Sequence, residues 1–368
     1  MKLKIAIQTN RLARFALVIS ALLFHLPTSA NNENAASLEM LDSLFKQQQY
    51  KTVIKNLKQI PTEKRTVEHF RFLIYSHAEL DLDDAEKAAE LAVKTLPNEP
   101  DVYLMHASIM GAQAGESIFS ALGYAQRALE SLNKAVELAP NDVQYRQALV
   151  SFHLNAPSIA GGDTDVAFAQ IKMIETLDWV QGKVNLAWFY RSTDKPEQSL
   201  SVLQEANQSL PDNIDILYAL ASHYVSEDDN AKAIEYYHQV ADLALVRPIA
   251  DEAEVMKAYE EARYRQLNAH YQIGRLALKQ NIELEQGIEH LQRYLLTVQN
   301  PEAIGLLDTS GLPSKDWANL RLSALQLAKG EPSTAKTTFS KVALDKNDDN
   351  MQKIYNALKK TLEKTKTK

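Results

Sequence analysis

Histidine can transfer protons near neutral pH and bind transition metals, and the chain carries nine histidines in 368 residues. No two of them stand four residues apart, the spacing that would place both on one helix face as ligands of a single ion. His69 and His77 are eight residues apart, about two helical turns, which is too far to share a metal. We therefore expect surface or partly buried polar histidines and predict no metal site.

Other catalytic chemistry is equally hard to place in this sequence. The absence of cysteine removes thiolate nucleophiles, cysteine-based metal sites, disulfides and the thiol that lipid-anchored bacterial proteins modify. There is no glycine-rich phosphate loop with a lysine and no nucleophile elbow. Acidic runs at 81–84, 227–229 and 348–349 lack the calcium-loop pattern and fit helix caps and turns. The sequence predicts no catalytic residue, no cofactor and no enzyme.

The first thirty residues have the form of a cleavable secretory signal. Four basic residues and no acid precede an apolar run at 15–26, and Thr28 and Ala30 supply the small residues that a signal peptidase seats. The alternative is an uncleaved membrane anchor, which is less favoured because the run is shorter than the roughly 20 residues that cross a bilayer. We expect a signal peptide at 1–30, export by the Sec route, and a periplasmic or extracellular protein.

The net charge of the chain disfavours some classes of binding partner. Removal of residues 1–30, with their four basic side chains, moves the formal net charge from −7 to −11. Nucleic acids and anionic lipid surfaces attract basic proteins, so neither is an expected partner. The remaining chain has no apolar stretch of spanning length, and we expect no membrane span in it.

A period of 34 residues governs the middle of the chain. Segment 180–213 is followed without a gap by 214–247, and the alignment pairs Leu186 with Leu220 and Tyr190 with Tyr224. Each segment predicts two amphipathic helices joined by a polar turn. One such pair cannot bury its apolar faces alone, so neighbouring pairs must stack.

These segments resemble the tetratricopeptide repeat family. Shared features are large-x-x-Leu-small-x-x-Tyr in the first helix, small residues at positions 20 and 27, and a large residue at position 24. Weaker copies of the pattern occupy 34–65, 66–99, 100–141, 268–301 and 316–349. The resemblance implies an all-α solenoid, a right-handed superhelix of helix-turn-helix repeats.

Two repeats carry extra residues, which we expect between their helices, near 111–119 and 155–163. The second insert is similar to a Pro-x-x-x-Gly-Gly-Asp loop of bacterial members of the family. Pro157 can end a helix, Gly161 and Gly162 permit a tight reversal, and Asp163 can cap the next helix. This structural role is favoured, and a small phosphate-binding nest is the alternative.

The organisation after the signal is predicted in three parts. A repeat solenoid of about six repeats spans 34–247, and residues 248–301 hold a long helix over about 250–280 followed by a repeat-like unit. Residues 302–368 form a last repeat-like unit with a closing helix. The loop at 298–315, rich in glycine and proline, is the predicted joint between a larger front part and a smaller rear part.

The resemblance implies a concave groove lined by first-helix positions, here within residues 66–225. Those positions give Phe70, Ile74, His77, Leu104, Arg146, Val150, His153, Trp188, Arg191 and Tyr218. Trp188 is expected to face the groove because Leu186 and Tyr190 already fill the core positions beside it. The lysine and asparagine with which some members hold a terminal carboxylate are missing, so that specificity is not expected.

We therefore expect a non-enzymatic scaffold in the bacterial cell envelope that binds a protein or peptide in the groove. The alternative is a periplasmic protein that binds a small molecule, associated with transport, with its site beside the inserted loops. The partner, the pathway and the oligomeric state stay open.

Overall fold

The computed structural model describes residues 32–116, 120–249, 253–300, 311–345 and 348–365, and the predicted signal at 1–30 lies outside them. Within these ranges the chain forms seventeen α-helices and no strand, so the all-α prediction is confirmed. The helices are α1 (Asn32–Lys46), α2 (Tyr50–Leu57), α3 (Val67–Ala78), α4 (Leu82–Thr95), α5 (Pro100–Glu116), α6 (Ala121–Leu138), α7 (Val143–Asn155), α8 (Thr164–Leu177), α9 (Trp179–Ser192), α10 (Pro196–Ser209), α11 (Ile214–Ser226), α12 (Asn230–Asp242), α13 (Ala253–Gln280), α14 (Leu284–Val298), α15 (Lys315–Ala328), α16 (Pro332–Phe339) and α17 (Asp349–Lys364). None of these described helices is long and apolar enough to cross a membrane.

Contacts divide the chain into two units, of which the first ends at Thr193 and the second begins at Asp194. Consecutive helices pack on one another within each unit, as α3 on α4 and α5 on α6 in unit 1, and α11 on α12 and α13 on α14 in unit 2. First helices of successive pairs also touch, α3 with α5 in unit 1, and α11 with α13 and α13 with α15 in unit 2. Each unit is thus a stack of helix pairs.

One backbone conformation recurs in the turns between the first and second helices of four predicted repeats. Gln48, Asp194, Asp228 and Gly330 have φ values of 58°, 60°, 59° and 89°. All four stand at position 15 of the repeats predicted to begin at residues 34, 180, 214 and 316. Glycine adopts this left-handed conformation without strain, and short polar side chains tolerate it. The turns therefore keep the register of the 34-residue period.

Small residues let the paired helices approach closely. In α4, Ala85, Ala89 and Ala92 have no exposed surface, and in α6 Ala128 and Ala135 are equally buried. They are the residues at the small positions of the predicted repeats, and they belong to the continuous apolar core of unit 1. The pattern of small positions therefore identified the packed face of these second helices.

The acidic runs serve as helix caps. Asp81 accepts a hydrogen bond from the Asp84 amide at 3.0 Å, at the start of α4. Asp348 does the same for the Met351 amide at 2.9 Å, at the start of α17. A carboxylate here satisfies an otherwise unpaired amide and interacts favourably with the helix dipole. The structural interpretation of these two runs is confirmed.

The long helix predicted over about 250–280 is α13, with 28 residues. Gln266 braces it against the end of α12 by donating from Nε2 to the carbonyls of Ala241 at 2.9 Å and Leu243 at 2.8 Å. Further along, Gly274 allows α14 to approach, since a Cβ at this position would lie 2.4 Å from Leu291 Cγ. Most of the predicted joint at 298–315 lies outside the described residues.

The two inserts differ from one another. Residues 111–116 continue α5 as helix, so the expectation of a loop there is wrong, and 117–119 lie outside the described residues. The helix continues because its added turn is packed: Gln113 is buried and donates from Nε2 to Asp83 Oδ1 at 2.9 Å.

The second insert forms the predicted tight reversal. Gly161 has a φ of 94°, and the Gly162 amide donates to the Pro157 carbonyl at 3.1 Å. A Cβ on Gly162 would lie 1.8 Å from the Ala156 carbonyl oxygen, so only glycine fits. Asp163 caps α8 by accepting from the amides of Asp165 and Val166. The loop is closed by its own hydrogen bonds, as the structural interpretation requires.

Candidate partner-binding surfaces

Four residues predicted to line an open groove in unit 1 are fully buried: Val150 on α7 and three residues of the apolar core. Phe70, Ile74 and Leu104 have no exposed surface and belong to the apolar core cluster. The prediction is wrong for these three because α3 and α5 pack directly on each other, which covers the positions assigned to the groove.

Arg146 and His153 on α7 are also buried, and their donors are used inside unit 1. Arg146 donates from Nε to the Pro140 carbonyl at 2.7 Å and from Nη1 to Gln170 Oε1 at 2.5 Å. His153 Nδ1 donates to the Gly161 carbonyl at 3.0 Å, and burial lowers the pKa of His153. Their predicted groove role is wrong, since one holds the chain before α7 and the other holds the Gly161–Gly162 reversal.

His77, Trp188 and Arg191 keep partly exposed side chains in unit 1. Nδ1 of His77 lies 3.9 Å from Asp84 Oδ2, and burial lowers the pKa of His77, so the ring is neutral at pH 7. Trp188 sits between buried Ala187 and buried Phe189 on α9. Its indole N–H donates to none of the described residues.

Tyr218 belongs to unit 2 and starts a row of polar side chains. Its hydroxyl donates to Asn268 Oδ1 at 3.1 Å, which links α11 to α13. Gln272 Nε2 donates to the same oxygen at 3.0 Å, and Arg275 Nε donates to Gln272 Oε1 at 2.5 Å. The row runs along one side of α13 and ends in a guanidinium group.

A second guanidinium lies near the first. Arg321 on α15 donates from Nε to the Tyr271 hydroxyl at 2.7 Å. Its carbon Cζ lies 5.5 Å from the centre of the Tyr271 ring and 5.1 Å from that of Trp317. We call Arg275 and Arg321 the arginine pair. Sequence reasoning missed both because the repeat at 268–301 is loose and α13 is longer than a repeat helix.

Three histidines from three helices meet elsewhere in unit 2. His238, His270 and His290 come from α12, α13 and α14, and we call them the histidine cluster. The Nδ1 atoms of His270 and His290 are 2.7 Å apart, and the ring centres of His238 and His290 are 4.9 Å apart. Burial, and then the neighbouring positive groups, lower the pKa of His270 to about 3 and that of His290 to about 4.

This cluster was not expected from the sequence, in which its members are 32 and 20 residues apart. No group of three or more histidine, aspartate or glutamate side chains in the described ranges has the geometry of a metal site. At pH 7 the rings of His270 and His290 are therefore neutral, and both lie buried between packed helices.

The sequence profile of the tetratricopeptide repeat matches residues 216–248 and 113–142. The first match begins two residues after the repeat predicted at 214–247, and the second covers the end of the one predicted at 100–141. The chain thus contains tetratricopeptide repeats in these two stretches. Its repeats support a scaffold for protein–protein interaction in general.

The solved structure of yeast Tom70 agrees with this fold. Yeast Tom70 has a TM-score of 0.59 at 15% identity, with 98% of this chain and 72% of that chain covered. TTC0263, a tetratricopeptide-repeat protein of Thermus thermophilus, has a TM-score of 0.38 at 18% identity, with 54% and 97% covered. The tetratricopeptide-repeat solenoid expected from the sequence is confirmed as the fold class. No curated protein matches the chain in sequence.

Proposed function

We propose that this tetratricopeptide-repeat protein is a non-enzymatic scaffold of the bacterial cell envelope. A protein partner binds as a peptide or helix against partly exposed side chains of first helices. Export depends on the signal predicted at residues 1–30, whose basic start and short apolar run are the only support for this location.

The partial exposure of Trp188 supports the binding role. Its neighbours Leu186, Ala187 and Phe189 are buried, whereas its own ring is partly exposed and its indole N–H bonds to none of the described residues. A tryptophan buried for stability usually finds a partner for this group. A half-exposed tryptophan with an unused donor suits an anchor that loses its remaining exposure when a partner binds.

Crosslinking in intact bacterial cells, followed by mass spectrometry, identifies the partner. The dissociation constant of that partner is then measured for the wild-type protein and for Trp188→Ala/Arg191→Ala. We expect the double variant to bind at least tenfold more weakly, since an aromatic anchor contributes about 2 kcal/mol or more at an interface.

Trp179→Ala is the matched control. Trp179 lies on the same helix, nine residues before Trp188, which places it on about the opposite face. The Lys183 ammonium lies over its ring. This substitution should leave the affinity unchanged. Equal affinities for the wild type and the double variant would contradict the proposed anchor.

The small-molecule alternative has less support. It places the ligand beside the inserted loops, and the Gly161–Asp163 loop already satisfies its own polar groups. A hollow of about 330 Å³ is lined by residues of α16 and α17 in unit 2, whereas the inserted loops belong to unit 1. Thermal shift with a set of periplasmic metabolites tests this alternative: a ligand at a hundred times its dissociation constant stabilises by about 2.7 kcal/mol.

A further inference from the structure

The arginine pair has no acidic partner among the described residues, unlike Arg265 and Arg293 of the same unit. Arg265 forms ion pairs with Asp215 and Glu261, and Arg293 pairs with Glu289 at 2.5 Å. Arg275 and Arg321 are both partly buried, yet within the described ranges no carboxylate forms an ion pair with either. Partly buried positive charge without a counter-charge is unusual and costs desolvation free energy.

Both guanidinium groups are held by one hydrogen bond each, which leaves most of their donors unused. Nε of Arg275 is taken by Gln272, and Nε of Arg321 is taken by the Tyr271 hydroxyl. The terminal nitrogens of both make no hydrogen bond with described residues, and they are not among the buried unpaired atoms. They are therefore still exposed to solvent and can donate hydrogen bonds to a ligand.

The two groups are close enough to repel each other. Burial is the first cause that lowers the pKa of Arg275, and the charge of Arg321 is the second. A guanidinium stays protonated at pH 7 in spite of such shifts. An anion between the two groups would relieve this repulsion.

Local contacts orient both forks before any ligand arrives. The rings of Tyr271 and Trp317 contact Arg321, and the row from Tyr218 through Asn268 and Gln272 positions Arg275. A guanidinium fork matches a carboxylate, which it can bind through two parallel hydrogen bonds. The formal net charge of −7 opposes polyanions such as nucleic acids or anionic membranes, but not a short segment with one or two carboxylates.

We infer that the arginine pair binds the side-chain carboxylates of an acidic peptide segment in the partner protein. This inference rests on the proposed scaffold function and gives its partner a chemistry. It also places binding on α13 and α15 of unit 2, at residues outside the predicted groove.

A random dodecapeptide library displayed on phage provides the test. The purified exported protein is immobilised as the wild type, as Arg275→Gln/Arg321→Gln and as Arg293→Gln. We expect aspartate and glutamate to be enriched in peptides selected by the wild type and by Arg293→Gln, and not in those selected by the double variant. Circular dichroism melting shows that each variant is folded.

A selected acidic peptide is then synthesised with its carboxylates intact and with glutamine and asparagine in their place. The double variant should bind the acidic peptide at least tenfold more weakly than the wild type does, and the amide peptide should bind both proteins equally weakly. Arg275→Lys/Arg321→Lys keeps the charge but loses the fork, so we expect an intermediate affinity.

The outcomes separate the two proposals. Peptides selected by the wild type without acidic enrichment, or with the same enrichment in the double variant, overturn the arginine site but leave the scaffold proposal standing. Equal weakening by Arg293→Gln assigns the effect to overall charge and also overturns the site. A wild-type protein that selects no peptide at all overturns both proposals.

Discussion

His270 and His290 share one hydrogen bond between their Nδ1 atoms, 2.7 Å apart, at the contact of α13 and α14. One Nδ1 must carry a proton and the other must accept it, so the bond is lost when both rings are protonated. Arg263 and Arg293 face the pair with positive charge, and Asp242, Glu283 and Glu289 with negative charge, while the ring of His238 packs against His290. The pair therefore keeps this hydrogen bond only while at least one of the two rings is neutral.

Unit 2 should lose stability in mild acid. Both pKa values lie below the ordinary 6.5, so the unfolded chain binds more protons between pH 6.5 and about pH 4. The free energy of unfolding is highest above pH 6.5 and falls as the pH drops toward 4, by about 2 kcal/mol per histidine at pH 5. Urea unfolding at pH 7.5 and pH 5 measures this difference.

Trp317 fluorescence restricts that measurement to unit 2 when Trp179 and Trp188 are replaced by phenylalanine, since the chain has three tryptophans. His290→Gln should reduce the difference between the two pH values by about half. His77→Gln, the same change in unit 1, should leave it unaltered. A wild-type stability equal at both pH values would disprove the argument.

Two glycine-to-alanine changes should have opposite effects. At Gly330 a Cβ would meet no atom within 4 Å, but φ is 89°, so Gly330→Ala should destabilise unit 2 by about 1 kcal/mol. Gly123 is equally open to a Cβ but lies within α6, so Gly123→Ala should stabilise unit 1 by up to about 1 kcal/mol. Denaturant unfolding checks both, and a neutral Gly330→Ala would contradict the role of the left-handed turn.

Asp163→Ala should lower the free energy of unfolding without changing the affinity for the partner. The substitution removes the cap of α8, which is worth about 1 kcal/mol. Asp165→Ala, two residues later, removes a carboxylate that caps nothing, and it should change stability by less than half as much. If Asp163→Ala weakened partner binding while stability stayed the same, the loop would have a binding role.

Arg146→Met should behave as a structural substitution. It leaves the Pro140 carbonyl and the Gln170 side chain without their donor, and we expect a loss of about 2 kcal/mol in the free energy of unfolding of unit 1. Partner affinity, measured on folded protein, should not change. A binding loss without a stability loss would restore the predicted groove role of Arg146.

The sequence predicted the fold well because its evidence is local and repeated. Small residues such as Ala89 and Ala128, the 34-residue spacing and the polar turns each specify a helix pair, and agreement among copies removes the ambiguity of any single one. The long helix α13 could also be predicted from the sequence, since its segment contains no proline and a single glycine.

The binding site was harder to predict, because the position of a residue in a repeat does not determine which other helices cover it. Phe70 and Trp188 stand at groove positions by count, yet α5 packs on α3 and buries the first, whereas the second stays half-exposed. Arg275 and Arg321 are 46 residues apart and become neighbours only through the contact of α13 with α15. Such pairs depend on long-range packing, which periodicity does not contain.

The left-handed turns have a consequence for how the gene can change length. Asp194 and Asp228 are equivalent points in successive repeats, 34 residues apart, with the same backbone conformation. Excision of the segment that follows one of them up to and including the other would join matching ends without interrupting a helix. Duplication between the same two points would add two helices in the same way, so these turns are natural boundaries for the gain and loss of whole modules.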